Sequence, residues 1–224
     1  MTKDFSLQIP KLSPRLTMVA DMVPICERIV DIGTDHAFIP IYLIAKNCCS
    51  FAIASDIRKG PAAIAKSNVD AYQMEDQIKV VVGDGLGQIQ ATMEDCVVIA
   101  GMGGYEISSI LKKDIIRAKA IVLQPQKSFK ELRMFLSNEG YEINSESIAK
   151  EKDRYYLGMS VTYTGIAYEM TQLELEVGPC ILRDKPLHFN NYLDQCKRRL
   201  EKQVIGDASI QDIINRLVEF ENQR

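Results

Sequence analysis

Two carboxylates flank one glycine in Asp31-Ile32-Gly33-Thr34-Asp35, and no other segment of the sequence is better suited to chemistry on a nucleoside-like ligand. A short apolar run leads into them and a helix is expected from about Phe38, so a strand would deliver its ligand to a helix N-terminus. The second and third glycines of a G-x-G-x-x-G loop are absent, and Asp35 would set a negative charge against a diphosphate. A dinucleotide is therefore disfavoured. Asp56, followed by Ile57, closes a second β-rich run at the distance from which a carboxylate reaches ribose hydroxyls. Asp84-Gly85 closes a third, where the carboxylate is placed to bond an adenine amino group. Each aspartate alone reads equally well as a helix cap or an Asx turn. At successive strand ends they outline an adenosine slot without a phosphate cradle.

S-adenosylmethionine fits such a slot, since it joins an adenosine to a cationic amino-acid tail and carries no phosphate. Asp31 would help hold the ammonium through water, and loop amides around Gly33 would meet the tail. Asp35 would lie near the reacting centre; the competing role is an N-cap on the helix at Phe38. A second glycine-rich turn, Ala100-Gly101-Met102-Gly103-Gly104, lets backbone come close to a flat ligand. The Asn-Pro-Pro-Tyr type of motif, whose carbonyls grip an exocyclic nitrogen, is missing there. A ring nitrogen with a free lone pair would not need that grip. His36 and His188 lack supporting ligands at metal-binding spacing, so no metal is expected.

These turns need a particular frame. Strands are expected over 29–32, 51–56, 78–82, 96–100 and 120–124, alternating with helices over 40–46, 59–72 and 105–112. That alternation predicts a doubly wound, Rossmann-like, mostly parallel sheet with ligands at the carboxyl ends of its strands. Segments 141–148 and 155–163 read as an antiparallel pair finishing the sheet. Beyond residue 164 the pattern is helical, with breaks at Gly178-Pro179 and Gly206-Asp207. Helices over 187–204 and 210–220 could pair, with Leu193, Cys196 and Leu200 facing Ile213, Leu217 and Phe220. The expected division is a catalytic domain over 1–164 and a small coiled-coil-like helical domain over 165–224.

The 224 residues suffice for a real core, and six cysteines without a C-x-x-C pair suit a reducing cytoplasm. Neither a signal peptide nor a membrane span is apparent in the sequence. A net charge of −3 excludes a generally basic coat but not a local basic patch.

Taken in order, Leu12-Ser13-Pro14-Arg15-Leu16, Asp31 to Ala37, Lys59-Gly60-Pro61, Gly83-Asp84-Gly85-Leu86, Ile99 to Gly104 and Leu123-Gln124-Pro125 closely resemble the bacterial tRNA (adenine-22-N1) methyltransferase family. The resemblance implies S-adenosylmethionine as cofactor, tRNA as partner and methylation of adenine N1. It maps Asp31, Gly33, Thr34, Asp56, Ile57, Asp84, Gly85, Ala100 and Gly101 to the cofactor pocket. Arg15, His36, Met102, Gly103, Gln124, Pro125 and Gln126 fall around the target base, with Asp35 as the catalytic carboxylate. Gln126 stands where the family is expected to carry Asn. Lys127, Lys130 and Arg133 beside the pocket, and Arg183, Lys185, Lys197, Arg198, Arg199 and Lys202 in the tail, are candidate tRNA contacts. For each alone a solvated helix face with ordinary ion pairs is the better reading, and only as a cluster do they form the best basic surface available. Competing readings are a methyltransferase for another RNA or a small molecule, a nicotinamide oxidoreductase disfavoured by the acidic turn, and a cofactor-binding scaffold without turnover.

Overall fold

The computed structural model describes residues 9–83, 89–113, 115–202 and 208–222. Five strands follow the expected order: β1 (Arg28–Ile32), β2 (Phe51–Asp56), β3 (Ile78–Val82), β4 (Asp95–Met102) and β5 (Ala120–Pro125). The hairpin β6 (Tyr141–Glu151) and β7 (Arg154–Tyr163) completes one seven-stranded sheet in the order β3-β2-β1-β4-β5-β7-β6. Neighbours among the first five strands pair in parallel, whereas β7 runs antiparallel to both β5 and β6. The order reverses between β1 and β4, and this switch point opens the crevice in which such sheets bind ligands.

Covering helices explain the central strands' nearly unbroken apolar sequence. Side chains alternate across a strand, so Val97, Ile99, Ile121 and Leu123 join one hydrophobic cluster while Cys96, Val98, Ala120 and Val122 join the other. The second cluster also takes buried residues of α1 (Pro14–Asp21), α2 (Phe38–Ala45) and α3 (Lys59–Ala71). The first takes Ile107 and Leu111 of α4 (Gly104–Lys113) and Leu132 and Leu136 of α5 (Phe129–Asn138).

The tail forms α6 (Gln172–Val177), α7 (Pro179–Asp184), α8 (Phe189–Glu201) and α9 (Ala208–Asn222). A capping box starts α6: the Thr171 hydroxyl accepts from Glu174 N, and the Glu174 carboxylate accepts from Thr171 N at 2.8 Å. Residues Leu193, Cys196 and Leu200 of α8 and Ile213 and Leu217 of α9 are buried in the first cluster, continuous with the sheet. The side chain of Phe220 and the expected break at Gly206-Asp207 lie outside what is described. Helix α8 begins later than expected, leaving Leu187 79% exposed before it. His188 sits at its N-cap with φ 68° and a ring centroid 5.7 Å from that of Tyr155.

One buried ion pair joins these tail helices to the sheet. Arg133 of α5 lies 2.9 Å from Glu146 of β6, and both side chains are fully buried. The guanidinium also donates to the carbonyls of Leu175 and Val177, both at 2.9 Å, while Glu146 Oε2 accepts from the amides of Cys180 and Ile181 at the start of α7. Arg133 is thus not an RNA contact, because its charge is spent inside the protein. All six cysteines are free thiols, and no helix among the described residues is long and apolar enough to cross a membrane.

Candidate active site

The turn after β1 is shaped by Gly33, whose φ of 76° favours glycine and where a Cβ would collide with Met102 Cε. The amides of Gly33 and Thr34 donate to Ser55 O at 2.8 and 2.9 Å, which folds the loop across the end of β2. The Thr34 hydroxyl accepts from Ala37 N at 3.1 Å, and Ala37, with φ 54°, takes the N-cap position of α2. Asp35 therefore does not cap the helix. Its side chain is 61% exposed and stands 3.5 Å from His36 Nε2, while the His36 ring stacks on Phe38 at 5.3 Å.

Asp31 is 5% exposed at the end of β1. Burial raises its carboxyl to about 6, the nearby charge of Asp56 adds to the rise, and a hydrogen bond from Thr34 opposes it. A buried carboxylate held so high favours a cationic partner. Asp56 is also buried, and its Oδ1 accepts from Arg58 N at 2.8 Å and from Arg58 Nε at 3.3 Å. Among the described residues those bonds leave Oδ2 for another donor. Asp84 and Gly85 fall outside the described residues.

The remaining wall comes from β4 and β5. Strand register shifts between Ala100 and Met102, around Gly101 with φ 82°, so the chain bulges where the glycine run begins. Gly103 N donates to Glu106 Oε2 at 2.9 Å, Gly104 N to Lys127 O at 2.9 Å, and Gln126 N to Met102 O at 2.8 Å. Two loops are thereby stitched into one floor. Beside it, Arg15 of α1 donates through Nη1 to Gln124 Oε1 at 2.7 Å.

These elements enclose a cavity of about 730 Å³ at the switch point. Arg15, Asp31, Gly33, Thr34, Asp35, His36, Asp56, Ile57, Ala100, Gly101, Met102 and Gln126 all line it. Four expected residues do not. Gln124 is fully buried behind Arg15, while Gly103, Pro125 and Lys127 stand next to the lining without forming it. Four lining residues of α4 are absent from the expected set: Glu106, Ser109, Ile110 and Lys113. Their i, i+3, i+4, i+7 spacing marks one helical face, which is the available signal. Among the described residues no group of His, Cys, Asp and Glu is arranged to hold a metal.

The expected basic surface is sorted by its partners. Lys130 pairs with Glu176 at 2.9 Å, and Arg199 donates to Glu176 O and Oε2 at 3.0 and 3.1 Å while lying 5.9 Å from the ring of Phe129. Arg183 pairs with its neighbour Asp184. Lys127, Arg198 and Lys202 are exposed and Lys197 is half-buried. Arg198, Arg199 and Lys202 share a second hollow with Tyr155, Asn191, Asp153, Asp194 and Gln195.

A reversed parallel sheet with an antiparallel seventh strand, and two strand-end carboxylates facing a crevice whose first turn lacks a G-x-G-x-x-G phosphate loop, define a methyltransferase-type Rossmann domain. Residues 12–159 match the family described as "Methyltransferase domain". The chain is 35% identical over 189 residues, 80% of its length and 78% of the relative's, to the tRNA (adenine(22)-N(1))-methyltransferase of Bacillus subtilis (strain 168). It superposes with a TM-score of 0.76 on M. capricolum TrmK in complex with S-adenosyl-homocysteine, at 30% identity over 95% of this chain and 97% of that one. A Streptococcus agalactiae protein of the NADB-Rossmann superfamily gives a TM-score of 0.82, with 30% identity and coverage of 95% and 98%. The chain belongs to the tRNA (adenine(22)-N1)-methyltransferase family.

Proposed function

We propose that this protein transfers a methyl group from S-adenosylmethionine to N1 of an adenine in tRNA, adenine 22 by its family. The observation that carries the reading is the buried Asp31 carboxyl, held at about 6 within the same cavity as Asp56 and the exposed Asp35. An ammonium against Asp31 and ribose hydroxyls against Asp56 account for both buried acids, so the residues fit this cofactor. When bound, S-adenosylmethionine supplies an electrophilic methyl group on a cationic sulfonium.

The chain's own task is mainly alignment. Adenine N1 carries a lone pair at neutral pH, so no side chain need remove a proton before attack. Positive charge then develops over N1 and the exocyclic amine. Asp35 accepts from that amine and stabilises the charge as it grows. N1 lies on the Watson–Crick edge, so the base must be unpaired or extruded to enter the cavity. Lys127 beside the mouth and Lys197 and Arg198 on α8 are proposed to engage the tRNA backbone, whereas Arg199, expected in the same role, is held by Glu176. The division into a catalytic part over 1–164 and a tRNA-engaging part over 165–224, and a cytoplasmic setting, belong to this reading.

Incubation with methyl-labelled S-adenosylmethionine and unmodified total tRNA, followed by digestion to nucleosides, tests it. Label in 1-methyladenosine is the expected result. Label in another nucleoside refutes the target atom, and cofactor binding without label favours the scaffold.

A further inference from the structure

Gln124 is a fully buried amide whose hydrogen bonds determine which way round it sits. Its Oε1 accepts from Arg15 Nη1 at 2.7 Å and from Gln126 Nε2 at 3.2 Å, and its Nε2 donates to Pro125 O at 2.8 Å. A guanidinium has only donors, so reversing the amide would set donor against donor. Among the described residues no carboxylate forms an ion pair with Arg15; its guanidinium carbon also lies 5.8 Å from the centre of the Tyr156 ring. After a hydrogen bond from Ser13, the Arg15 charge also helps to lower the carboxyl of Glu151, which accepts from Arg15 N at 3.4 Å, while the guanidinium itself directs the neutral amide it meets.

Two consequences reach the cavity. Pro125 O accepts from Gln124, and Pro125 stands beside the cavity lining without forming it, so the grip on an exocyclic amine falls to another acceptor. Gln126 has its Nε2 turned to Gln124, which leaves its Oε1 as an acceptor on a residue that lines the cavity. We infer that Arg15 and Gln124 form a relay that presents Gln126 Oε1 to the exocyclic amine of the target base, selecting adenine by that amine. Arg15 and Gln124 are positioning residues, and Gln126 is the group that touches substrate. Guanine and hypoxanthine would place a carbonyl oxygen against the same acceptor and be rejected. The amine carries two hydrogens, so Gln126 and Asp35 can each accept one. Both bonds strengthen as N1 becomes cationic, which puts their effect on the rate.

The inference rests on the proposed adenine N1 reaction and is tested within it. Two tRNA substrates are compared under single turnover, one with adenosine at the target position and one with purine riboside, which keeps N1 but lacks the amine. The wild-type protein is expected to prefer adenosine by roughly 10- to 100-fold, partly through intrinsic N1 reactivity. That intrinsic share is common to all proteins and cancels between them. Gln126→Leu and Arg15→Met are expected to lower the preference by roughly tenfold, with the affinity for S-adenosylmethionine unchanged. A preference equal to wild type in Gln126→Leu would overturn the relay, and this exposed position carries the test even if Arg15→Met does not fold. Failure of the wild type to methylate the adenosine substrate would instead refute the functional reading.

Discussion

Replacing Asp31 by Asn should make the protein more stable and, at the same time, poorer at binding its cofactor. In the folded chain burial holds this carboxyl at about 6, against an ordinary 3.8. The difference corresponds to about 3 kcal/mol of penalty on the folded state at pH 7. The direction follows from proton binding: between the two values the folded state holds a proton that the unfolded chain has released. The penalty is therefore small below about pH 4, grows as pH rises and is constant above about pH 6. An asparagine of nearly the same shape has no proton to lose. Urea unfolding of Asp31→Asn should show a gain of up to about 3 kcal/mol at pH 7 that shrinks toward zero at pH 4. Calorimetric titration of the same variant with S-adenosylmethionine should show affinity lowered by roughly 100-fold, as a charge-assisted hydrogen bond is removed. A variant less stable than wild type at pH 7, or equally stabilised at both pH values, would refute the account of Asp31 as a carboxylate kept destabilised for a cationic ligand.

Other substitutions separate the roles around this carboxylate. Asp35→Ala should leave cofactor affinity nearly intact and lower the single-turnover methylation rate by roughly 100-fold, since a group stabilising developing charge acts on the rate; equal loss of both would make Asp35 a cofactor or folding residue. Glu146→Gln should destabilise the fold by about 3 to 5 kcal/mol in urea, because it strands the buried Arg133 charge, and a change under about 1 kcal/mol would deny that this pair joins α5, β6 and α7. Neutralising Lys197 and Arg198 should weaken tRNA binding and lower its salt slope by about one for each phosphate no longer neutralised, sparing cofactor binding. Adding Arg199→Gln should mainly reduce stability, because that guanidinium is bonded to Glu176; a further fall in salt slope would show that it reaches phosphate.

Local patterns carry the sheet. Apolar runs closed by Asp31, Asp56 and the Gly101 turn place those residues at three strand ends, and the structure brings all three to one cavity. Sequence is least informative where a residue's role depends on a partner distant in the chain. Arg133 reads as surface charge among Lys130 and Glu131, yet it stands beside Leu132 and one turn before Leu136, and only the fold supplies Glu146. Arg15 shows the same limit. Its helix is missing from the expected elements, although Ser13-Pro14 is a plausible start with proline in the first turn, and its hydrogen-bond partner lies 109 residues away. The α4 face at Glu106, Ser109, Ile110 and Lys113 is legible in spacing but not in purpose, since its polar edge turns inward only because β4 and β5 place the cavity there.

A single transcribed tRNA bearing adenosine at position 22, compared with the same transcript bearing guanosine there, gives the most direct test of N1 methylation at this cavity. After reaction with methyl-labelled S-adenosylmethionine, the modified nucleotide is mapped by mass spectrometry of nuclease fragments. One 1-methyladenosine at position 22, with no label in the guanosine transcript, is the predicted result. Equal labelling of both transcripts, or a methyl group on the exocyclic nitrogen, would contradict it.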